Sequence, residues 1–233
     1  MLANNLSALG VDAAQLDHGL NTVGAALWWM PTTGEYGPGA GFGDFENHQK
    51  VATLFGVNFV HSREDAEAQP GVNSFENSQI RLSDGTRIFQ PDAFGTGAQV
   101  EQATYKMFSA NAGMKYRGFT LDAEFYRRWI DNFKVIGTIP VHDLNDSGLQ
   151  IQASAMVLPQ TLQVYASGSK IWGQYGDPYD VALGLNWFPF NRREVRVNTQ
   201  ALYLDRSPVG YASVPMVVGG KGWVFTTDWV LAF

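Results

Sequence analysis

The sequence predicts an antiparallel transmembrane β-barrel, an all-β meander of about nine strands. Apolar residues recur at every second position in segments of about ten residues, and turn residues separate these segments. Aromatic residues make up 13% of the chain, which suits a fold that turns many rings outward. Alternation of period two places successive side chains on opposite faces of a strand. Each segment therefore has one apolar and one polar face.

Composition excludes several other classes. No apolar run approaches the roughly 18 residues of a membrane helix. The net charge of −6 argues against nucleic acid as a partner, because phosphate binding needs a basic surface. The absence of Cys removes disulfides, thiolate nucleophiles and cysteine metal sites. No cofactor and no metal are expected, since the four His residues lack metal-ligand spacing: His18, His48, His61 and His142.

The last segment shows the alternation most clearly. Its aromatic face holds Trp223, Phe225, Trp229, Leu231 and Phe233, and Asp228 lies on the opposite face. The same pattern occurs in eight earlier segments, at 195–203, 179–187, 162–169, 149–157, 119–129, 108–116, 51–59 and 23–29. Six Trp residues fall near the strand ends, where an indole can lie at a membrane interface: Trp28, Trp29, Trp129, Trp172, Trp187 and Trp229.

The polar faces distinguish a barrel from a soluble alternative. They carry Gln, Asn, Ser and Gly with isolated charges, which suits a water-filled lumen. A soluble β-sandwich would bury Val, Ile and Leu and expose a charged surface. A sandwich that binds carbohydrate through exposed Trp and Tyr remains the alternative, and it would fold in water without detergent.

The connections alternate in length, as they do in membrane barrels. Short turns at 117–118, 159–160 and 189–192 would be periplasmic, with Phe233 at the same end. Long loops at 61–102, 132–147 and 207–221 would be extracellular. Two connections depart from the rule: the tight turn 175–178 on the long-loop side and the long periplasmic connection 31–49.

Within the loop 61–102, residues 81–88 predict a small hairpin, because Asp84-Gly85 supplies the positive φ of a tight turn. We expect it outside the membrane or folded into the pore mouth. Residues 37–43, rich in glycine, indicate a flexible turn rather than a phosphate-binding loop. The chain 1–233 is expected to be a single barrel domain. Because single-chain bacterial barrels have an even number of strands, nine strands predict the C-terminal portion of a longer protein.

Charged residues on the polar faces are the candidate pore lining. They are Lys115, Asp122, Glu124, Arg128, Arg196 and Asp228. Asp122 and Glu124 have the spacing of an acid/base pair, but no catalytic residue is expected. Two interpretations stay open: charges that set a transverse field across the lumen, or a structural ion-pair network on its wall.

Several stretches together resemble porins of the phosphate-selective porin O/P type, in their C-terminal half. These stretches are 29–38, 81–86, 113–119, 184–190 and 205–211. The resemblance implies a sixteen-stranded homotrimeric barrel in the bacterial outer membrane that passes small hydrophilic solutes. It also implies a C-terminal signal for the outer-membrane assembly machinery, formed by Phe225, Trp229, Leu231 and Phe233.

The expected function is that of a non-enzymatic general porin segment surrounded by outer-membrane lipid. Anions such as phosphate are among the expected solutes. A pore that concentrates phosphate needs a lumenal array of Lys and Arg, however. This chain offers only Lys115, Arg128 and Arg196 for such an array, beside the acidic Asp122 and Glu124.

Overall fold

The structure, a computed structural model, describes residues 2–3, 21–37, 43–66, 80–207 and 218–231. Within these ranges the regular elements are all strands. They are β1 (Leu2–Ala3), β2 (Thr22–Trp29), β3 (Ala52–Asp65), β4 (Gln99–Tyr116), β5 (Phe119–Ile136), β6 (Leu144–Leu158), β7 (Leu162–Trp172), β8 (Tyr179–Trp187), β9 (Val195–Asp205) and β10 (Lys221–Leu231).

The strands form one antiparallel sheet in sequence order, so every strand pairs with its neighbours along the chain. This confirms the predicted all-β meander with nine long strands. The described sheet is open: β10 pairs with β9 alone, and β1 covers only Thr22 and Val23 of β2. It is therefore consistent with a segment of a β-barrel.

The predicted loops 61–102 and 132–147 were too long, because the strands that flank them extend further than the apolar alternation, and the predicted loop 207–221 is displaced by one residue. β3 and β4 stay paired as far as Asp65 opposite Gln102, and β4 and β5 each have 18 residues. The connections are 66–98, 137–143 and 206–220 in place of 61–102, 132–147 and 207–221. Backbone hydrogen bonds do not require apolar side chains, so polar residues continue the ladders.

The two ends of the sheet differ, as the sequence predicts. The short-turn end carries the connections 30–51, 117–118, 159–161 and 188–194. The long-loop end carries 66–98, 137–143, 173–178 and 206–220. The turn 175–178 lies at the long-loop end as expected, where Ile171 N donates a hydrogen bond to Pro178 O at 2.9 Å. The predicted hairpin at 81–88 is also present, closed by Leu82 N donating to Thr86 O at 2.8 Å.

One face of the sheet, the apolar face, leaves large hydrophobic side chains exposed. In β10, Trp223 is 62% exposed, Phe225 76% and Trp229 74%. Similar residues on every other long strand except β9 continue this surface, and no second sheet packs against it among the described residues. Soluble monomers rarely expose a continuous apolar surface of this kind. The arrangement differs from a β-sandwich, whose apolar face is buried against a second sheet.

The opposite face, the polar face, is covered by two connections that fold back over it. The 80–98 segment covers the long-loop end, and the described parts of the 30–51 segment, residues 30–37 and 43–51, cover the short-turn end. The buried hydrophobic cluster lies between the 80–98 segment and the sheet, not between two sheets. Its members are Ala66, Ile80, Leu82, Ile88, Phe89, Val100, Ala103, Ile130 and Leu144.

Candidate functional site: the covered polar face

All six predicted pore-lining residues lie on the polar face. The register shows this directly, since Asp122 lies opposite Gln152 and Asp228 opposite Asn198, while Phe225 and Trp229 alternate to the other side. The structure separates the six into groups. Lys115, Asp122 and Glu124 lie toward the 30–51 segment, Arg128 lies under the 80–98 segment, and Arg196 and Asp228 belong to β9 and β10.

Asp44 fixes the 30–51 segment to the sheet. Its carboxylate accepts hydrogen bonds from Gly118 N at 2.7 Å and from His48 N at 3.0 Å, and it also contacts the His48 ring. Arg117 N donates to His48 O at 2.9 Å. Asp44 is fully buried, and its oxygens satisfy backbone donors that water does not reach. The segment is thereby locked to the β4–β5 turn.

Two further contacts extend the segment toward β8 and β9. The rings of Phe45 and Phe188 meet edge to face with centroids 4.9 Å apart, and both residues are buried. Arg193 Nη1 forms an ion pair with Glu46 Oε1 at 2.7 Å. Gly43 lies so close to the sheet that a Cβ there would clash with Gln163 and Ser154. A larger residue would have to displace both side chains and adopt a φ of 57°, so this close approach favours glycine.

Tyr36 connects the segment to the charged residues of β4 and β5. Its hydroxyl donates to Asp122 Oδ1 at 2.7 Å, and Lys115 Nζ lies 4.6 Å from the centre of its ring. Burial, reinforced by the hydrogen bond to Asp122, raises the pKa of Tyr36 well above its ordinary value. The hydroxyl therefore remains a donor at neutral pH. Lys115 was predicted to line the pore, but Tyr36 and its neighbours cover it completely.

Arg128 belongs to an ion-pair network at the other end. Its Nη2 lies 2.6 Å from Asp146 Oδ2, and it also donates to Arg81 O at 2.6 Å. Ser83 Oγ accepts a hydrogen bond from Tyr175 N at 3.0 Å. Both side chains of the Arg128–Asp146 pair are largely buried. Arg128 thus positions the 80–98 segment, which agrees with the structural interpretation of the predicted charges.

A chamber remains on the polar face beside Tyr36. It has a volume of about 220 Å³. Two carboxylates, Asp122 and Glu124, line it together with the amides of Asn111, Gln150 and Gln152. No basic side chain is among its lining residues in the described part of the chain. The chamber can therefore accept hydrogen bonds at many points and offers negative charge.

A polar ladder continues from β7 to β9 on the same face. Asn186 Nδ2 donates to Gln163 Oε1 at 2.7 Å, and Asn198 Nδ2 donates to Asn186 Oδ1 at 2.8 Å. Tyr165 Oη donates to Gln200 Oε1 at 3.1 Å. Buried amides are costly unless they are paired, so this network keeps the face both polar and ordered.

Asp44, Glu46 and His48 offer ligand atoms within 4.8 Å of one another, a cluster that the His spacing had not predicted. Each side chain already has a protein partner. Asp44 binds Gly118 N and the His48 backbone, Glu46 pairs with Arg193, and the His48 ring contacts Asp44. These contacts explain the cluster as an anchor of the 30–51 segment.

The predicted assembly signal is described only in part. Phe225, Trp229 and Leu231 lie exposed on the apolar face, whereas Phe233 falls outside the described residues. The Trp residues lie as expected near the strand ends, with two differences. Trp28 faces the polar side by register, and Trp129 lies within β5, seven positions before its end at Ile136.

Comparison with known protein families, with curated proteins and with solved structures gives no match for this chain. Among the described residues, no helix is long and apolar enough to cross a membrane.

Sequence reasoning missed the residues that fold the 30–51 segment onto the sheet, above all Tyr36, Asp44 and Phe45. Their partners lie far along the chain: Asp122 is 86 positions from Tyr36, and Gly118 is 74 from Asp44. The unusual length of 31–49 was the one available signal. A short turn would have sufficed to join two antiparallel strands, so the extra residues indicated a further role.

Proposed function

We propose that this chain forms part of the wall of a bacterial outer-membrane β-barrel whose polar face lines a water-filled passage for small hydrophilic solutes. The observation that carries this proposal is the contrast between the two faces of one sheet. Phe225 and Trp229 represent an apolar face that remains exposed, whereas the opposite face is polar, charged and partly covered by the chain's own segments. Lipid on one side and water on the other satisfy both faces.

Aromatic and basic residues at the edges of the apolar face support a membrane setting. At the long-loop end, Tyr203 contacts Trp223 with ring centres 5.3 Å apart, and Arg127 and Lys170 lie over the rings of Trp129 and Trp172. At the short-turn end, Trp187 and Trp229 are exposed. Such residues are favoured at membrane interfaces, where rings meet hydrocarbon and cations meet phosphate.

Transport in this proposal is passive. The two covering segments narrow the space above the polar face, so that pore width and lumenal polarity select solutes and no catalytic residue is needed. From the resemblance described above, the proposal extends to a homotrimer of sixteen-stranded barrels recognised by the outer-membrane assembly machinery. Phosphate transport would require basic residues that face the passage.

Reconstitution of the full-length protein into planar bilayers tests the proposal. We expect stepwise increases in conductance and recovery of the protein in the detergent-extracted membrane fraction. A bilayer that stays sealed would overturn the proposal, and so would a stable, folded protein in detergent-free buffer. The second outcome would favour the alternative, a soluble carbohydrate-binding protein, although its β-sandwich form disagrees with the single sheet described here.

A further inference from the structure

We infer that the chamber lined by Asp122 and Glu124 is a binding site for small cations, and that the passage favours cations over chloride and phosphate. This inference rests on the proposed function, since it assigns a solute class to the same polar face. It departs from the anion preference that the family resemblance implies.

Two basic residues of the polar face are covered or paired. Lys115 is fully buried beneath Tyr36, within electrostatic range of the carboxylates of Glu46, Asp122 and Asp44. Arg128 Nε donates to Asp146 Oδ2 at 2.8 Å, and its Nη2 donates to Arg81 O. A cation that already has a carboxylate partner attracts a passing anion only weakly.

The third basic residue, Arg196, lies on β9 opposite Val230, near the short-turn end. It is half-buried and does not belong to the chamber lining. The 80–98 segment adds Arg81 and Arg87 at the long-loop end. Arg81 Nη1 donates a hydrogen bond to Gly85 O at 2.8 Å, and the exposed carboxylates of Asp84 and Asp92 in the same segment offset the two charges. No array of Lys and Arg therefore follows the described polar face from one end to the other.

Two acidic residues of the polar face, in contrast, remain exposed. Glu124 is exposed, and within the described ranges neither an ion pair nor a side-chain hydrogen bond engages its carboxylate. Asp228 on β10 is also exposed. Asp122 accepts one hydrogen bond from Tyr36 through Oδ1, and its Oδ2 is buried without a hydrogen-bond partner among the described residues, so Glu124 and Asp228 supply the exposed negative charge. The accessible charge of the face is negative.

The remaining lining suits a cation that gives up part of its water. The amide oxygens of Asn111, Gln150 and Gln152 can replace hydration oxygens, as polar linings do in selective pores. A recess with carboxylates and a low-dielectric wall concentrates counter-ions from solution. The same carboxylates would repel phosphate and chloride.

The reversal potential of the reconstituted full-length protein in a potassium chloride gradient tests this inference. We expect potassium to permeate more readily than chloride, by a ratio on the order of tenfold. Glu124→Gln should keep the conductance steps and bring the ratio toward parity. The matched control is Glu194→Gln, which makes the same chemical change at an exposed position of the 188–194 turn and should leave the ratio unchanged.

Spermine provides a second measurement that needs no variant. As a small organic cation it should reduce the potassium current of the native protein in a dose-dependent manner, and Glu124→Gln should weaken this block. Conductance with a preference for chloride or phosphate, or without spermine block, would overturn the inference and leave the proposed passage intact. A bilayer that stays sealed would overturn both.

Discussion

The two segments that cover the polar face are held by different kinds of interaction. The 80–98 segment buries Leu82, Ile88 and Phe89 in a hydrophobic cluster with residues of β4, β5 and β6. The 30–51 segment relies on a few directional contacts through Asp44 and Tyr36, with a single buried aromatic pair. Hydrophobic burial is non-directional and shared by many residues, whereas each hydrogen bond depends on its own partner.

Under the proposed function, this difference allows one face of the sheet to be a packed surface at one end and a passage at the other. Beneath the 80–98 segment, the sheet needs apolar residues such as Ile130 and Leu144 on its otherwise polar face. Beneath the 30–51 segment, the face stays polar, so water and solutes can approach Glu124. Substitutions at the two ends should therefore differ in how much they lower the free energy of unfolding and in how much of the sheet they affect.

The largest effect is expected from Phe89→Ala at the long-loop end. Phe89 is completely buried in the cluster, so truncation leaves a cavity and should lower the free energy of unfolding by about 4 kcal/mol. Urea unfolding in detergent would measure this loss. Phe190→Ala is the control, because Phe190 is 69% exposed and should change the free energy little. Equal losses in the two variants would contradict the assigned core.

Asp44→Ala should have the next largest effect, and a local one. Removal of the carboxylate leaves the amides of Gly118 and His48 without their acceptor, at a cost of about 3 kcal/mol. Hydrogen exchange should accelerate at these two amides and remain slow in β8. Single-channel conductance should rise as the 30–51 segment detaches.

Asp84→Asn is the control for Asp44→Ala, because Asp84 is exposed at the opposite end of the sheet. It should leave exchange at Gly118 and His48 unchanged. If Asp44→Ala instead accelerated exchange evenly over all strands, the 30–51 segment would be part of the global folding unit. The contrast between the two ends would then be wrong.

Sequence alone predicted the strands and the faces, because both follow from an alternation that is visible within each segment. β10 illustrates this, since Phe225 and Asp228 lie on the faces expected of them. The covering segments follow from contacts between distant residues, such as Glu46 and Arg193, which are 147 positions apart. No local pattern in the sequence marks such pairs. Lys115 was therefore predicted to be accessible on the polar face, whereas in the structure it is covered.

Tyr36→Phe should have a moderate effect that depends on pH. It removes the hydrogen bond to Asp122 and should cost about 2 kcal/mol at neutral pH. Because the folded protein raises the pKa of Tyr36, this contribution is present below the unfolded pKa of about 10 and declines as the pH rises above it. The difference in unfolding free energy between native protein and variant should therefore shrink in alkaline solution.

Urea unfolding of both proteins at neutral and alkaline pH measures this difference. Tyr203→Phe is a suitable control, because Tyr203 lies on the apolar face and contacts Trp223 rather than a carboxylate. A difference for Tyr36→Phe that stayed constant through the alkaline range would show that the Tyr36 hydroxyl is not held by Asp122 in the folded protein.

The smallest effect is expected from Arg193→Ala. The Arg193–Glu46 pair is partly exposed, with 42% and 32% of the two side chains accessible, so solvent screens it and its loss should cost less than about 1 kcal/mol. A double-mutant cycle with Glu46→Gln isolates the coupling between the two side chains. A coupling free energy several times larger than about 1 kcal/mol would mean that the ion pair, rather than the buried acceptor Asp44, holds the 30–51 segment on the sheet. High salt should then release the segment and raise the conductance, whereas the arrangement described here predicts little change, because Asp44 and the Phe45–Phe188 contact are shielded from ions.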